Sequence, residues 1–224
     1  MPKNKLKVLL IIEQCNPAWN SVPLEGYRLY EGISRFVDTT LVTHERNKEE
    51  LEKVHPDADI TYIEDSTSIK QLELLGNRLS LYKGQIIWPL RNTFNYPVYW
   101  GFNRAVYSQF KAAIARGDYD LVHTITPMMP RYPVKSVKAC KKTPFILGPF
   151  NGGVPFPGGF KDLGRREYSY FNFLRWVGRS IIPGYRATYK KATHILAGSS
   201  YTLGLIKELF PKIKDEKIDR KSVV

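Results

Sequence analysis

A few residues combine useful chemistry with a telling position: each follows a short apolar run. His123 ends the run Asp118-Tyr-Asp-Leu-Val-His123, with Thr124 just beyond it. An imidazole there can hold or move a proton. It can equally be a strand-end histidine bonded to a backbone carbonyl. Asn151 follows Phe145-Ile-Leu-Gly-Pro-Phe150 and opens Asn151-Gly152-Gly153. Its amide can hold a hydroxyl but cannot act as a general base. Gly152 and Gly153 let backbone N–H groups come close to a diphosphate. Asn16, Asn20 and Glu25 lie in the polar stretch after Lys7–Ile12 and are able to hold hydroxyls, or to make turns and cap a helix. Cys15, Cys140, His44, His55 and His194 carry no metal-ligand spacing, so no metal is expected.

The elements that must position these residues read as an alternating α/β chain. Lys7–Ile12 is an unbroken β-prone run, as in a strand buried on both faces of a parallel sheet. Glu25–Phe36 has helical periodicity and Thr39–Thr43 is a second strand. Asp59–Glu64 is a third strand. Ser66–Leu81 is a helix with Ile69, Leu72, Leu75 and Leu79 on one stripe, and a long helix runs from Pro97 or Val98 to Ala115. Gly84–Pro97 reads as irregular. Strands at Asp118–Thr124, Phe145–Leu147 and Thr193–Gly198 follow. Helices are expected at Tyr132–Ala139, Asp162–Ile182, Gly184–Lys191 and Ser199–Phe210. The predicted fold class is an open, Rossmann-like parallel sheet with helices on both faces. One domain spans 1–210, and 211–224 is a charged tail or the start of a linker. In such a sheet the loops after the strand ends share one crevice, which would gather the first loop, His123 and the Gly148–Gly159 loop.

Between Gly148 and Phe160 stand five Gly and three Pro, a loop fit either for tight turns or for facing a ligand. The first loop lacks G-x-G-x-x-G, which lowers a dinucleotide reading. The chain carries a net charge of +13, and from Arg131 to Lys191 there are 13 basic residues against Asp162 and Glu167 alone. This excess calls for an anionic partner or is a solvated face. Arg165, Arg166, Arg175 and Arg179, interleaved with aromatics, are the candidates for an anionic surface such as a membrane. No recognition helix, RNP pattern or zinc spacing supports nucleic acid as a partner. Val8–Ile12 is too short an apolar run for a signal peptide or a membrane span, and two cysteines make a reducing compartment the default.

Four segments, Lys7–Ile12, Asp118–His123, Pro144-Phe-Ile-Leu-Gly-Pro-Phe-Asn-Gly-Gly153 and Ala192-Thr-His-Ile-Leu-Ala-Gly-Ser-Ser200, together resemble the N-terminal, acceptor-side domain of a family 4 glycosyltransferase of GT-B fold. The resemblance covers the chain from its first strand to about Phe210. It implies transfer of a hexose from a sugar nucleotide to a glycan or lipid-linked acceptor, with the anomeric configuration retained. It also implies a C-terminal donor-binding domain, in cis or in trans, without which turnover is not expected. No metal or covalently bound cofactor is implied, and the setting is cytoplasmic, with possible peripheral attachment to the inner face of a membrane. Family members often carry a His where this chain has Phe150-Asn151, so the role of that position departs from the pattern. The alternative reading is a non-catalytic α/β module that binds anionic lipid or a protein partner.

Overall fold

The computed structural model describes residues 5–152, 154, 159, 171 and 173–220. A seven-stranded, all-parallel sheet runs in the order β3-β2-β1-β6-β7-β8-β9. Its strands are β1 (Lys7–Ile11), β2 (Asp38–His44), β3 (Ile60–Ile63), β6 (Leu121–Thr124), β7 (Phe145–Phe150), β8 (His194–Ala197) and β9 (Ile218–Arg220). The small strands β4 (Leu81–Tyr82) and β5 (Gln85–Ile86) form a separate antiparallel hairpin. The helices are α1 (Val22–Ser34), α2 (Lys48–Val54), α3 (Thr67–Leu79), α4 (Trp88–Phe94), α5 (Tyr96–Arg116), α6 (Phe173–Ile181), α7 (Tyr185–Lys191) and α8 (Ser200–Leu209). This is the open, doubly covered α/β sheet expected from the sequence.

Alternation along β1 explains why both faces are covered. Leu9 and Ile11 join Val42, Val122, Phe145 and Ile195 in a core shared with α5 and α7. Val8 and Leu10 face the other way, into a core with Tyr30 of α1, Leu41 and Leu51 of α2. A strand apolar at every position is therefore one buried from both sides. β1 pairs with β2 on one side and β6 on the other. The chain reverses its direction of winding between β1 and β6, the switch point where the flanking loops splay apart.

Several elements differ from the sequence reading. Trp88–Phe94 is helical rather than irregular, with Pro at its start, where a missing N–H costs nothing. Tyr132–Ala139 forms only a 3-10 turn at Lys135–Lys138. Side chains of neighbouring helices take its amides: Val134 N donates to Thr188 Oγ1, and Lys135 N to Asn103 Oδ1. Ile218–Arg220, within the segment read as a charged tail, pairs with β8 and extends the sheet.

Candidate functional site

Three loops leave the carboxyl ends of β1, β6 and β7, and hydrogen bonds join them side by side. Ile11 is paired with Thr124, and Thr124 with Leu147; β1 and β6 end there, while β7 runs on through an irregularity to Phe150. Beyond them, Gln14 N donates to Thr126 Oγ1 at 3.3 Å and Asn151 N to Met128 O at 2.6 Å. Gly198 N, after β8, donates to Phe150 O. The first loop, the His123–Thr124 strand end and the Asn151–Gly152 turn therefore stand in one rim.

Asn16 is fully buried at this rim. Its Oδ1 accepts from Ala18 N at 3.0 Å, which fixes the amide's orientation, and its backbone N donates to Pro23 O. Asn16 Nδ2 makes no hydrogen bond among the described residues. Neither does Thr124 Oγ1, although Thr124 is only 3% exposed. A buried polar atom left without a partner costs about 1–3 kcal/mol, so two at one strand edge call for a reason. Gly26 brings α1 up against this loop: a Cβ there would lie 2.2 Å from Gln14 O. Asn20 is exposed. Glu25 sits in the first turn of α1, where an acid suits the helix dipole, and accepts from Arg28 at 2.8 Å.

His123 is buried, and its Nε2 lies 2.7 Å from Gly148 O. A carbonyl only accepts, so Nε2 carries the proton and donates. Burial drives the imidazole's pKa from 6.5 down to about 4, against the pull of that carbonyl. The ring is neutral at pH 7 and tethers β6 to β7. Gly148 takes φ +97°, and a Cβ there would meet Leu196 O at 2.4 Å, so no other residue fits unchanged. Gly152, at φ +107°, turns the chain beside Met129. Asn151 is exposed, with its backbone amide already engaged by Met128.

Of the basic residues, Arg179 is half-buried and donates from Nε to Pro130 O at 3.1 Å, a carbonyl that also accepts from Tyr185 Oη at 2.8 Å. Gly153, Arg165, Arg166 and the side chain of Arg175 lie outside the described residues. Both cysteines are free, and burial pushes each thiol up to about 12, away from nucleophilic chemistry. Among the described residues no cluster of His, Cys, Asp or Glu is arranged to hold a metal ion.

The polar group that sequence reasoning missed continues this edge past β2 and β3. Glu13, 4% exposed, accepts from Arg46, whose guanidinium also reaches Glu73 at 4.0 Å. His44 Nδ1 accepts from Arg46 N, so its Nε2 donates to buried Asp65 at 2.9 Å. Asn47 Nδ2 donates to Glu13 O and Thr43 Oγ1, both at 2.9 Å. These contacts hold the first loop from the side opposite Thr126. They join residues 33 and 21 positions apart in the case of Arg46–Glu13 and His44–Asp65, beyond any motif spacing.

A wide cavity of about 1160 Å³ lies at the other, amino-terminal edge, lined by Lys7, Asp38, Asp59, Asp118 and Asp120 among others. It lies at the opposite end of the strands, and the carboxyl edge is the better candidate because the unpartnered buried atoms of Asn16 and Thr124 lie there, at the switch point.

The fold and site together define a Rossmann-like α/β domain with its polar rim at the switch point. Among solved structures, the chain is similar to the crystal structure of a glycosyltransferase from Rickettsia africae ESF-5. The match has 17% identity and a TM-score of 0.42, and covers 98% of this chain and 43% of that one. This chain thus spans less than half of that enzyme's length, and the match is distant and partial. No protein-family model and no curated protein sequence matches the chain.

Proposed function

We propose that this chain is the acceptor-side domain of a retaining glycosyltransferase of GT-B architecture, the reading that its sequence motifs suggested. The observation that carries it is the pair of buried, unpartnered polar groups, Asn16 Nδ2 and Thr124 Oγ1, at the switch point of a parallel sheet. One offers an N–H donor and the other a hydroxyl that both donates and accepts, the kinds of group that hold sugar hydroxyls. Asn151 adds an exposed amide on the neighbouring rim.

In this reading the anomeric carbon of a sugar nucleotide gives up its bond to phosphate oxygen and gains one to an acceptor hydroxyl. Asn16, Thr124 and Asn151 orient that acceptor, a glycan or a lipid-linked sugar. None of them is a base. His123 has its Nε2 proton committed to Gly148 and serves to position the β7 loop. The acceptor proton therefore passes to a group outside this domain: the departing phosphate or the donor-binding half supplied in cis or in trans. No metal is required by these residues. The protein works in the cytoplasm, at or near the inner face of a membrane that presents the acceptor. No helix among the described residues is long and apolar enough to cross a membrane.

Saturation-transfer NMR with a panel of glycans and sugar nucleotides tests the reading. A glycan signal that disappears in Asn16→Ala and Thr124→Val is expected, with sugar nucleotides much weaker. Sugar nucleotides binding while every glycan fails would overturn the acceptor-side assignment.

A further inference from the structure

We propose that the face formed by α3, the β4–β5 hairpin and the start of α4 docks on an anionic lipid bilayer. The crossover from β3 to β6 needs one helix, and α5 fills that role: Phe102, Val106, Phe110 and Ile114 pack on the sheet. Neither core cluster contains a residue from α3, the hairpin or α4. Yet this excursion is rich in large apolar side chains. Leu72, Leu75 and Leu79 fall within roughly 60° of one another around the α3 axis at 100° per residue. They are 45%, 52% and 54% exposed. Ile69, the remaining member of that stripe, is buried against Gly101 of α5. The helix has thus spent its edge on the fold and left the leucines facing out.

The excursion holds together as a unit. Ser66 caps α3 by accepting from Ile69 N at 3.4 Å. Gly76 lets α4 approach so closely that a Cβ would lie 2.9 Å from Phe94 Cβ. Ile87 N donates to Ser80 O at 2.8 Å, which folds the hairpin back on the end of α3. Leu81 is 51% exposed and Trp88 56% exposed. A monomer rarely exposes apolar groups so densely without a use for them.

Charge selects the occupant. Lys70 stands on the side of α3 opposite the leucines, but Arg78, Lys83, Arg91 and Arg104 belong to the rest of the excursion and the helix that follows it, against one acid, Glu73, which is turned toward Arg46. A second copy of the chain would bring like charge against like. An anionic bilayer offers opposite charge at its surface and an apolar layer beneath it, the two things this face presents. Two cations already stand over exposed rings: Lys83 over Tyr82 at 5.6 Å and Arg104 over Trp100 at 5.3 Å. That pairing of aromatic and basic residues fits the headgroup level. The surface is separate from the Arg131–Lys191 segment and from the carboxyl-edge rim, and its test needs no sugar chemistry.

The experiment is co-sedimentation of the 224-residue protein with phosphatidylcholine vesicles, with and without phosphatidylglycerol. Binding to the anionic vesicles alone is expected, weakened by salt. The Leu72→Ser/Leu75→Ser/Leu79→Ser variant should lose on the order of tenfold or more in partitioning. Arg78→Gln/Lys83→Gln, which leaves no acid at the end of α3, should lose most vesicle binding while its thermal unfolding changes little. Undiminished binding by both variants would overturn the proposal. So would a failure to bind anionic vesicles, or a protein that light scattering shows as a dimer and that the leucine variant converts to a monomer.

Discussion

The burial of His123 should make the protein sensitive to acid by an amount that can be worked out. The unfolded imidazole titrates near 6.5 and the folded one at about 4. Between those values the unfolded chain binds a proton that the folded chain refuses, so stability rises with pH across that window and falls as pH drops through it. Above 6.5 both states are neutral and the group contributes no slope. At 1.36 kcal/mol per pKa unit, the full loss from pH 7 to pH 4 is roughly 3 kcal/mol. A protonated ring also gains nothing from solvent, because the site is closed. His123→Gln keeps an N–H donor for the Gly148 carbonyl and removes the titration. Urea unfolding followed by circular dichroism at pH 7 and at pH 4 measures both proteins. The variant is expected to start lower at pH 7 and to lose roughly 3 kcal/mol less than the parent between the two pH values. Equal losses in the two proteins would refute the reasoning, and would free His123 for a proton-transfer role.

Two further predictions concern the same edge. Thr124→Val replaces a buried hydroxyl that has no partner with a methyl of the same shape, and should raise stability by about 1 kcal/mol in urea unfolding while abolishing ligand signals. Gly148→Ala should destabilise by about 3 kcal/mol or more, since it adds a positive-φ penalty to a Cβ that collides with the β8 backbone. A midpoint shift with an unchanged denaturant slope would separate this from a change in the unfolded state.

What was legible in the sequence was whatever the local pattern controls. Lys7–Ile12 announced a strand buried on both faces because it has no polar alternation, and β1 is that strand. The strands read at Asp118–Thr124 and Phe145–Leu147 are β6 and β7, but Gly148–Phe150, read as the start of the Gly/Pro loop, continues β7, so Asn151 leaves the sheet further along than that reading placed it. Periodicity placed α3 but not what covers it. The Leu72–Leu75–Leu79 stripe is real, but a stripe shows only that a helix has an apolar side, not that the fold covers it. Tyr132–Ala139 is instead an extended stretch and a 3-10 turn whose Val134 and Lys135 amides are held by Thr188 and Asn103, partners remote in sequence. The Glu13–Arg46 and His44–Asp65 contacts had no sequence signal, since they arise only when β1, β2 and β3 are laid side by side. Asn16 could be singled out by its loop, but its burial depends on Gly26 letting α1 close over that loop.

The central claim is that a sugar acceptor sits where β1, β6 and β7 end. Amide chemical-shift mapping during titration with an acceptor glycan measures this directly. The account predicts shifts concentrated at Asn16, Thr124, Asn151 and Gly152, and absent in Asn16→Ala. Shifts gathered instead around the amino-terminal cavity, at Asp38, Asp59 and Asp118, would contradict it.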